Sequence, residues 1–156
     1  FKGVERRFEY KGMCQGAEIF DDYGHHPTEI QATLRVAQRR AQKDLHVIFQ
    51  PHRFTRTQKL WEEFIDAFSV QKEGDPVIKT LLITDIYPAS EDPIPGISSE
   101  FLVAAIQQKN PNLCVTYVSS YDGLAHAAKN FLQAGDLLLT IGAGRVNLVA
   151  ETLAKQ

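Results

Sequence analysis

The sequence has few cysteines for disulfide cross-links and no long apolar run for a membrane anchor. Only two of its 156 residues are cysteines, one is methionine and one is tryptophan. Two cysteines cannot form a disulfide framework, which indicates a reducing, cytoplasmic compartment. We expect both thiols to be structural, with Cys14 in a turn and Cys114 in a buried strand. No apolar run approaches the ~18 residues of a membrane span, and no signal peptide is recognisable. We therefore expect a cytoplasmic protein without membrane segments.

The composition predicts one folded domain. An apolar fraction of 44% excludes disorder, and a chain of this length can bury a hydrophobic core without disulfide or metal cross-links. The first residue is Phe1 rather than Met, and the first ten residues already have the pattern of folded structure. We therefore expect residues 1–156 to be a single domain cut from a longer protein.

Charge is unevenly distributed along the chain. Residues 1–56 hold ten basic and seven acidic side chains, whereas the whole chain has a net charge of -2. Part of this excess has helical spacing and indicates a solvated helix face, comprising Arg35, Arg39, Arg40 and Lys43. No aromatic residues interleave with these four and the isoelectric point is about 6.2, which excludes a nucleic-acid-binding stripe. The other arginines, and the histidines near them, need a separate explanation.

Compact apolar runs alternate with amphipathic helical patterns. Strands are predicted at 6–11, 17–22, 45–50, 77–87, 113–118 and 136–141. Helices are predicted from Pro27, over 57–69, from Ser98 or Ser99, over 121–131 and after the GAG at 142–144. The first two strands predict a hairpin, and the alternation that follows predicts βαβ units. The expected fold class is α/β: a Rossmann-like, doubly wound, mostly parallel sheet with an N-terminal β-hairpin.

Three polar segments follow predicted strands: DDYGHHPTE, PHRFTR and DIYPASEDPIPG. In an open parallel sheet, ligands bind outside the carboxyl ends of the strands. Histidines and arginines are concentrated in the first two segments. We expect these two at adjacent strand ends, where together they would bind an anion or a phosphorylated ligand.

Two arginines in the second segment could share one carboxylate. Arg53 and Arg56 are three residues apart at the start of a predicted helix, where guanidinium groups and free N–H groups can converge. The alternative interpretation is that both form salt bridges to Glu62, Glu63 or the Asp21–Asp22 pair.

Other polar features are less specific. His25 and His26 do not have the spacing of a zinc site, so we expect one to orient a substrate amine or carboxylate and the other to be structural. The GAG at 142–144 is compatible with a phosphate loop or with a tight turn, because it lacks the third glycine or the lysine of phosphate-binding motifs.

Several segments together resemble the carboxyl-terminal domain of the Mur ligases. They are GVERRFEYKG, IFDDYGHHPTEIQATL, VIFQPHRFTRTQKLWEEFIDAF, DIYPASEDPIPGISSE and the final GAG, and they extend from Phe1 to about Leu153. The HRFTR loop favours the members that add L-alanine to UDP-N-acetylmuramate over the ligase that recycles murein peptides, whose DD-aromatic-x-HHP motif is similar. A free-standing nucleotide-binding or interaction module is the alternative from another class.

The resemblance implies that this chain is the third domain of an ATP-dependent amide-bond ligase. Upstream domains would bind the UDP-sugar and supply the P-loop and the Mg²⁺ sites, and no GxxxxGK[ST] occurs in this sequence. ATP would activate the muramoyl carboxylate as an acyl phosphate, which the alanine amine would attack. The implied partners are ATP with Mg²⁺, UDP-N-acetylmuramate, L-alanine and the upstream domains, without nucleic acid or membrane. We expect the isolated chain to be inactive.

The resemblance also implies two sets of ligand contacts, with no metal ligand and no assigned catalytic residue. Arg6 or Arg7 would reach the ATP phosphates, and Asp22 would hold the ribose hydroxyls. The residues implied for the alanine pocket are Tyr23, His25, His52, Arg53 and Arg56. One departure from the family pattern is Ser90, where the YPAGE-like loop usually has glycine.

Overall fold

Strands and helices alternate along residues 6–70 and 72–155, the part of the chain that the computed structural model describes. The strands are β1 (Glu9–Cys14), β2 (Ala17–Asp22), β3 (Leu45–Phe49), β4 (Thr80–Ile83), β5 (Cys114–Tyr117) and β6 (Leu137–Ile141). The helices are α1 (Pro27–Arg40), α2 (Phe54–Lys59), α3 (Trp61–Ala67), α4 (Ser99–Lys109), α5 (Tyr121–Phe131) and α6 (Asn147–Ala154). None of these helices is long and apolar enough to cross a lipid bilayer.

The six strands form one sheet in the order β1-β2-β6-β3-β4-β5. β1 is antiparallel to β2, and every other pair of neighbours is parallel. The predicted fold class, with its N-terminal hairpin, is therefore confirmed. The last strand in sequence, β6, lies between β2 and β3 and forms ladders with both.

The hairpin closes on a two-residue turn. Gln15 and Gly16 have φ angles of 54° and 83°, the left-handed conformation that matches the twist of tightly connected strands. The first strand begins three residues later than predicted, because Arg6 and Phe8 have positive φ and lie in a turn. Residues 1–5, including the GVE of the first motif, lie outside the described residues.

Helices cover both faces of the sheet and form two apolar cores. On one face α1, α3 and α4 pack on a cluster that includes Phe49 and Leu139. On the other face α5 and α6 pack on a cluster that includes Ile48 and Leu138. Successive residues of β3 and β6 thus point into opposite cores, and burial of each such side chain contributes about 1.5–3 kcal/mol.

The predicted helix over 57–69 is instead two helices. α2 and α3 meet at Leu60, whose φ of −109° and ψ of 26° leave the helical region. α3 buries Phe64 and Ile65 in the core, whereas α2 buries only Thr57. The core therefore orients α3, while the loops orient α2. The sequence around Leu60 has no glycine or proline that would have predicted this break.

The cysteines are free and lie in different environments. Cys14 is the buried last residue of β1 rather than a turn residue. Cys114 is exposed, so its predicted burial was wrong. It lies on β5, an edge strand whose alternate side chains face solvent.

The turn after β6 is tightly packed around Gly142, and a substitution there tests how much this packing contributes to stability. A Cβ on Gly142 would lie 2.7 Å from the backbone carbonyl oxygen of Gln50, whereas a Cβ on Gly96 would meet nothing within 4 Å. Both glycines have positive φ, so Gly96→Ala controls for backbone strain. We predict that Gly142→Ala lowers the free energy of unfolding by roughly 1–3 kcal/mol more than Gly96→Ala does, measured by urea titration. Equal losses would contradict the packing argument.

Candidate functional site

Four loops meet at the carboxyl edge, the edge of the sheet where β2, β6, β3 and β4 end. The expectation that β2 and β3 are adjacent was wrong, because β6 separates them. Their loops nevertheless meet, since the rings of His25 and His52 lie 6.1 Å apart between centroids. α1 and α3 cover one face and α6 the other, so the chain leaves β6 toward the opposite face from its neighbours. Such a reversal opens a crevice where ligands bind in α/β sheets.

Gln50 forms the floor between the loops. It follows β3 and is only 4% exposed. Its Nε2 donates to the Asp85 carbonyl oxygen at 3.1 Å. Its Oε1 accepts from the Arg145 N–H and the Tyr121 hydroxyl, both at 3.2 Å. The sequence reading missed this residue, although a polar side chain directly after a wholly apolar strand was the available signal.

Arg6 ties the hairpin to the turn after β6. Its Nε donates to the buried Asp21 carboxylate at 2.8 Å. Its Nη1 and Nη2 donate to the carbonyl oxygens of Gly144 at 3.0 Å and Gly142 at 2.7 Å. The GAG segment thus turns carbonyl groups toward an arginine, which supports the tight-turn interpretation over a phosphate loop.

Asp21 and Asp22 have different surroundings. Burial raises the pKa of Asp21 above its ordinary value, against hydrogen bonds from Arg6 and Thr140 that lower it. Asp22 accepts the Gly24 N–H on Oδ1 at 2.7 Å and the Phe8 N–H on Oδ2 at 2.8 Å. The Asp22 carboxylate therefore holds the backbone on both sides of the loop, and each oxygen retains a further lone pair for a ligand.

The two histidines of the first loop, His25 and His26, make different contacts and so have different roles. His26 caps α1: its Nδ1 accepts the Thr28 N–H, while the Glu29 carboxylate accepts the His26 N–H. His26 is thus the structural one of the pair. His25 contacts the Tyr23 ring edge-on at 5.5 Å, and Arg6 lies 5.2 Å from the same ring.

His52 is held neutral in the second loop. Its ring stacks on Tyr87 at 5.4 Å, and its Nδ1 lies 3.1 Å from Arg56 Nη1. Burial, together with the positive charges of Arg56, His25 and Arg53, lowers the pKa of His52 to about 4. Because a guanidinium can only donate, Nδ1 of His52 is the acceptor in this contact.

Arg53 occupies a strained backbone position. Its φ of 76° and ψ of 139° lie in a region that costs a non-glycine residue about 1–3 kcal/mol. Hydrogen bonds hold it there: its N–H donates to the Tyr87 carbonyl oxygen at 2.8 Å, and its own carbonyl accepts from Thr57. The Arg53 side chain is 45% exposed.

Glu91 connects the loop after β4 to α2. Its carboxylate accepts the Thr55 N–H at 3.1 Å and the Thr55 hydroxyl at 2.5 Å, and these bonds lower its pKa. Arg53 Nη1 lies 3.7 Å from the same carboxylate. The alternative that Arg53 and Arg56 pair with Glu62, Glu63 or the aspartate pair is not seen among the described residues, and the sequence reading missed Glu91.

The residues implied for the alanine pocket come together as one set. Contacts run from Arg6 through Tyr23, His25 and His52 to Arg56, and Arg53 adjoins His52 in the chain. Asp22 lies beneath the first loop, and Arg7 is exposed beside the hairpin.

A group of three possible metal ligands lies at the opposite edge of the sheet: Asp44, His46 and Asp136. His46 Nε2 lies 3.0 Å from Asp136 Oδ2, and both side chains are buried. Asp136 also accepts the N–H groups of Asp44 and Gln133. These contacts join the amino ends of β3 and β6 and are distant from the carboxyl edge.

The family model of the Mur ligase, glutamate ligase domain, matches residues 6–144. The chain belongs to the Mur ligases. The UDP-N-acetylmuramate–L-alanine ligases of Lawsonia intracellularis and Nitratidesulfovibrio vulgaris strain DP4 are 48% and 49% identical to it over 151 and 152 residues. These alignments cover 96% and 97% of this Mur ligase domain but 31% and 32% of the relatives, so the chain spans about a third of their length.

A solved structure has the same fold. The UDP-N-acetylmuramate–alanine ligase of Thermotoga maritima superposes with a TM-score of 0.72 at 20% identity, over 99% of this chain and 30% of that one. This likeness supports the α/β fold of the Mur ligase domain.

Ser90 offers a test of strain at the edge of the site. Its φ of 71° lies in the left-handed region that favours glycine, which explains why glycine is usual in this loop of Mur ligases. We predict that Ser90→Gly raises the free energy of unfolding by about 0.5–1 kcal/mol, whereas Ser90→Ala, which keeps Cβ, does not. Urea unfolding of both variants measures this, and a Ser90→Gly variant less stable than Ser90→Ala would refute it.

His52 gives stability a pH dependence. Its pKa is lower in the fold than its ordinary value of 6.5, so the unfolded chain takes up the proton first as the pH falls. The stability contributed by neutral His52 is present above pH 6.5 and is lost as the pH falls toward about 4. In His52→Gln, the amide can still accept from Arg56 but does not titrate. We predict that its melting temperature falls less between pH 7 and pH 5 than that of the wild type; equal falls would contradict the assignment.

Proposed function

We propose that this chain is the carboxyl-terminal domain of an ATP-dependent ligase that joins L-alanine to UDP-N-acetylmuramate. The observation that supports this most strongly is the set of contacts joining Tyr23, His25, His52 and Arg56, with Arg53 beside it. The names of the relatives at 48% and 49% identity agree with the alanine-adding reaction.

The composition of this pocket suits a small zwitterion. Alanine has one methyl side chain, so nearly all of its recognition must come from its ammonium and carboxylate groups. Arg53 and Arg56 supply guanidinium groups that can bind a carboxylate through two parallel hydrogen bonds. The Arg53 side chain is half-exposed, although its Nη1 lies 3.7 Å from the Glu91 carboxylate. It is therefore more open to a ligand than Arg56, which is partly buried and contacts His52.

The nucleotide contacts of this domain are part of the same proposal. The Mur ligases are ATP-dependent, and we assign the phosphate contact to Arg7 together with Arg6, whose guanidinium has two N–H groups beyond its three internal bonds. Asp22 would accept the ribose hydroxyls through its remaining lone pairs. The P-loop, the Mg²⁺ sites and the UDP-sugar pocket would belong to upstream domains of a cytoplasmic enzyme.

The reaction needs positioning and charge neutralisation more than covalent catalysis. The muramoyl carboxylate is activated by ATP as an acyl phosphate, and the alanine amine displaces phosphate to form the amide. Holding the amine beside the carbonyl carbon raises the effective concentration of the nucleophile. This lowers the activation barrier of amide formation without a covalent bond to the protein. This domain would deliver that amine.

Lysine substitutions test the carboxylate-binding pair in the full-length ligase. We predict that Arg53→Lys and Arg56→Lys each raise the Michaelis constant for alanine roughly tenfold or more, because one charge-assisted hydrogen bond is worth about 1.5–3 kcal/mol. The Michaelis constant for ATP should stay within about twofold. Arg39→Lys, on the exposed side of α1, is the matched control. Wild-type alanine kinetics in both pocket variants would remove the pair from the proposal.

The isolated chain provides a second test. Without the upstream domains we predict no amide formation or phosphate release with ATP, UDP-N-acetylmuramate and alanine present, because few phosphate-binding donors lie in this chain. Its ATP dissociation constant, measured by calorimetry, should be about 1 mM or weaker. Turnover by the purified chain would overturn the proposed division between domains.

A further inference from the structure

The hydrogen bonds of His25 determine which of its nitrogens carries the proton. Its Nδ1 lies 3.2 Å from the Tyr23 carbonyl oxygen and 3.8 Å from the Glu29 carboxylate. Both groups can only accept, so in neutral His25 the proton is on Nδ1 and Nε2 keeps its lone pair. No described residue hydrogen-bonds this Nε2, and the His25 side chain is 26% exposed.

His52 has the opposite tautomer. Its Nδ1 faces Arg56 Nη1 at 3.1 Å, and a guanidinium only donates, so the proton of neutral His52 is on Nε2. The centroids of the two rings lie 6.1 Å apart. One therefore offers a proton acceptor and the other a donor, within a single pocket.

The proposed reaction needs one proton acceptor at this place. An amino acid arrives as an ammonium ion, which has no lone pair and cannot attack a carbonyl carbon. His26 is engaged as the cap of α1, and the remaining lone pairs of Asp22 are assigned to the ribose hydroxyls. His52 offers a donor. Of these pocket groups, His25 alone presents a neutral nitrogen with a free lone pair.

We propose that Nε2 of His25 accepts the proton of the incoming amino acid's ammonium group, an inference that rests on the proposed function. The amine lone pair then forms the C–N bond to the acyl phosphate, and the C–O bond to phosphate breaks with its electron pair on the phosphate. A second amine proton leaves with the phosphate, and the third remains on the amide. The atoms and charges balance without a further reactant.

The titratable and charged groups around His25 come from each element that packs on it. They belong to Tyr23 in its own loop, His26 and Glu29 at the start of α1, and His52 and Arg56 after β3. Glu29 lies on the Nδ1 side and would stabilise the imidazolium formed by proton transfer. An imidazole suits this role, because it can accept a proton on one ring nitrogen and release it again without a change in its other bonds.

The test compares two nucleophiles in the full-length ligase. His25→Asn keeps an N–H donor toward the Tyr23 carbonyl but removes Nε2, and His26→Asn, which preserves an N-cap acceptor, is the matched control. Alanine requires deprotonation, whereas hydroxylamine is already unprotonated at neutral pH and traps the acyl phosphate as a hydroxamate. We expect His25→Asn to lower kcat with alanine by about 10²–10⁴-fold, to leave hydroxamate formation within about twofold, and to remove the acidic limb of the pH profile. His26→Asn should match the wild type in both assays.

Two kinds of result would overturn the inference. Equal losses with alanine and hydroxylamine would mean a structural role, and a higher Michaelis constant for alanine at unchanged kcat would mean binding alone. Both leave the proposed ligase function intact. If the wild-type enzyme makes neither amide nor hydroxamate, the proposed function itself fails, and the role of His25 with it.

Discussion

The close packing of the turn after β6 is the constraint on which the candidate site depends. β6 separates β2 from β3, so a bulky loop there would hold the flanking loops apart. Neither Gly142 nor Gly144 has room for a side chain. A Cβ on Gly142 would lie 2.7 Å from the Gln50 carbonyl oxygen, and a Cβ on Gly144 would lie 2.8 Å from the Tyr87 ring. The loops carrying His25 and His52 can therefore close over β6, and Arg6 holds the turn down through its carbonyl oxygens.

The electrostatics of the pocket follow from this approach. Arg53 and Arg56 come from one loop and the His25 ring from the other, and together with burial they keep His52 neutral. A pocket with two guanidinium groups can bind a carboxylate, and the uncharged His52 ring does not repel the ammonium group of the same ligand. Glu91, in the loop after β4, fixes the second loop in place, because its carboxylate contacts both Thr55 and Arg53.

Local patterns predicted most of the helices and strands, but not the order in which the strands assemble into the sheet. Pro27 and Glu29 marked the start of α1, and Ser98 that of α4, because caps and first-turn residues act within a few positions. The insertion of β6 between β2 and β3 depends on contacts between residues about 90 to 120 positions apart, which no local periodicity encodes.

The same distinction separates the site residues that were expected from those that were missed. His25, His52, Arg53 and Arg56 stood in motifs, whereas Gln50 and Glu91 act through partners that only the fold supplies. The break at Leu60 likewise reflects two helices oriented by different parts of the molecule. Ser90 was visible as a departure from the family pattern, and its positive φ gives the physical reason for that pattern.

The central claim is that loops from two strands separated by β6 build one site for an amino acid. A crystal structure of the full-length ligase with the proposed product, UDP-N-acetylmuramoyl-L-alanine, tests this most directly. We predict that the alanine carboxylate lies within hydrogen-bonding distance of the Arg53 or Arg56 guanidinium, and that the new amide nitrogen lies on the His25 side of the pocket. A product whose alanine carboxylate lies away from both guanidinium groups would contradict it.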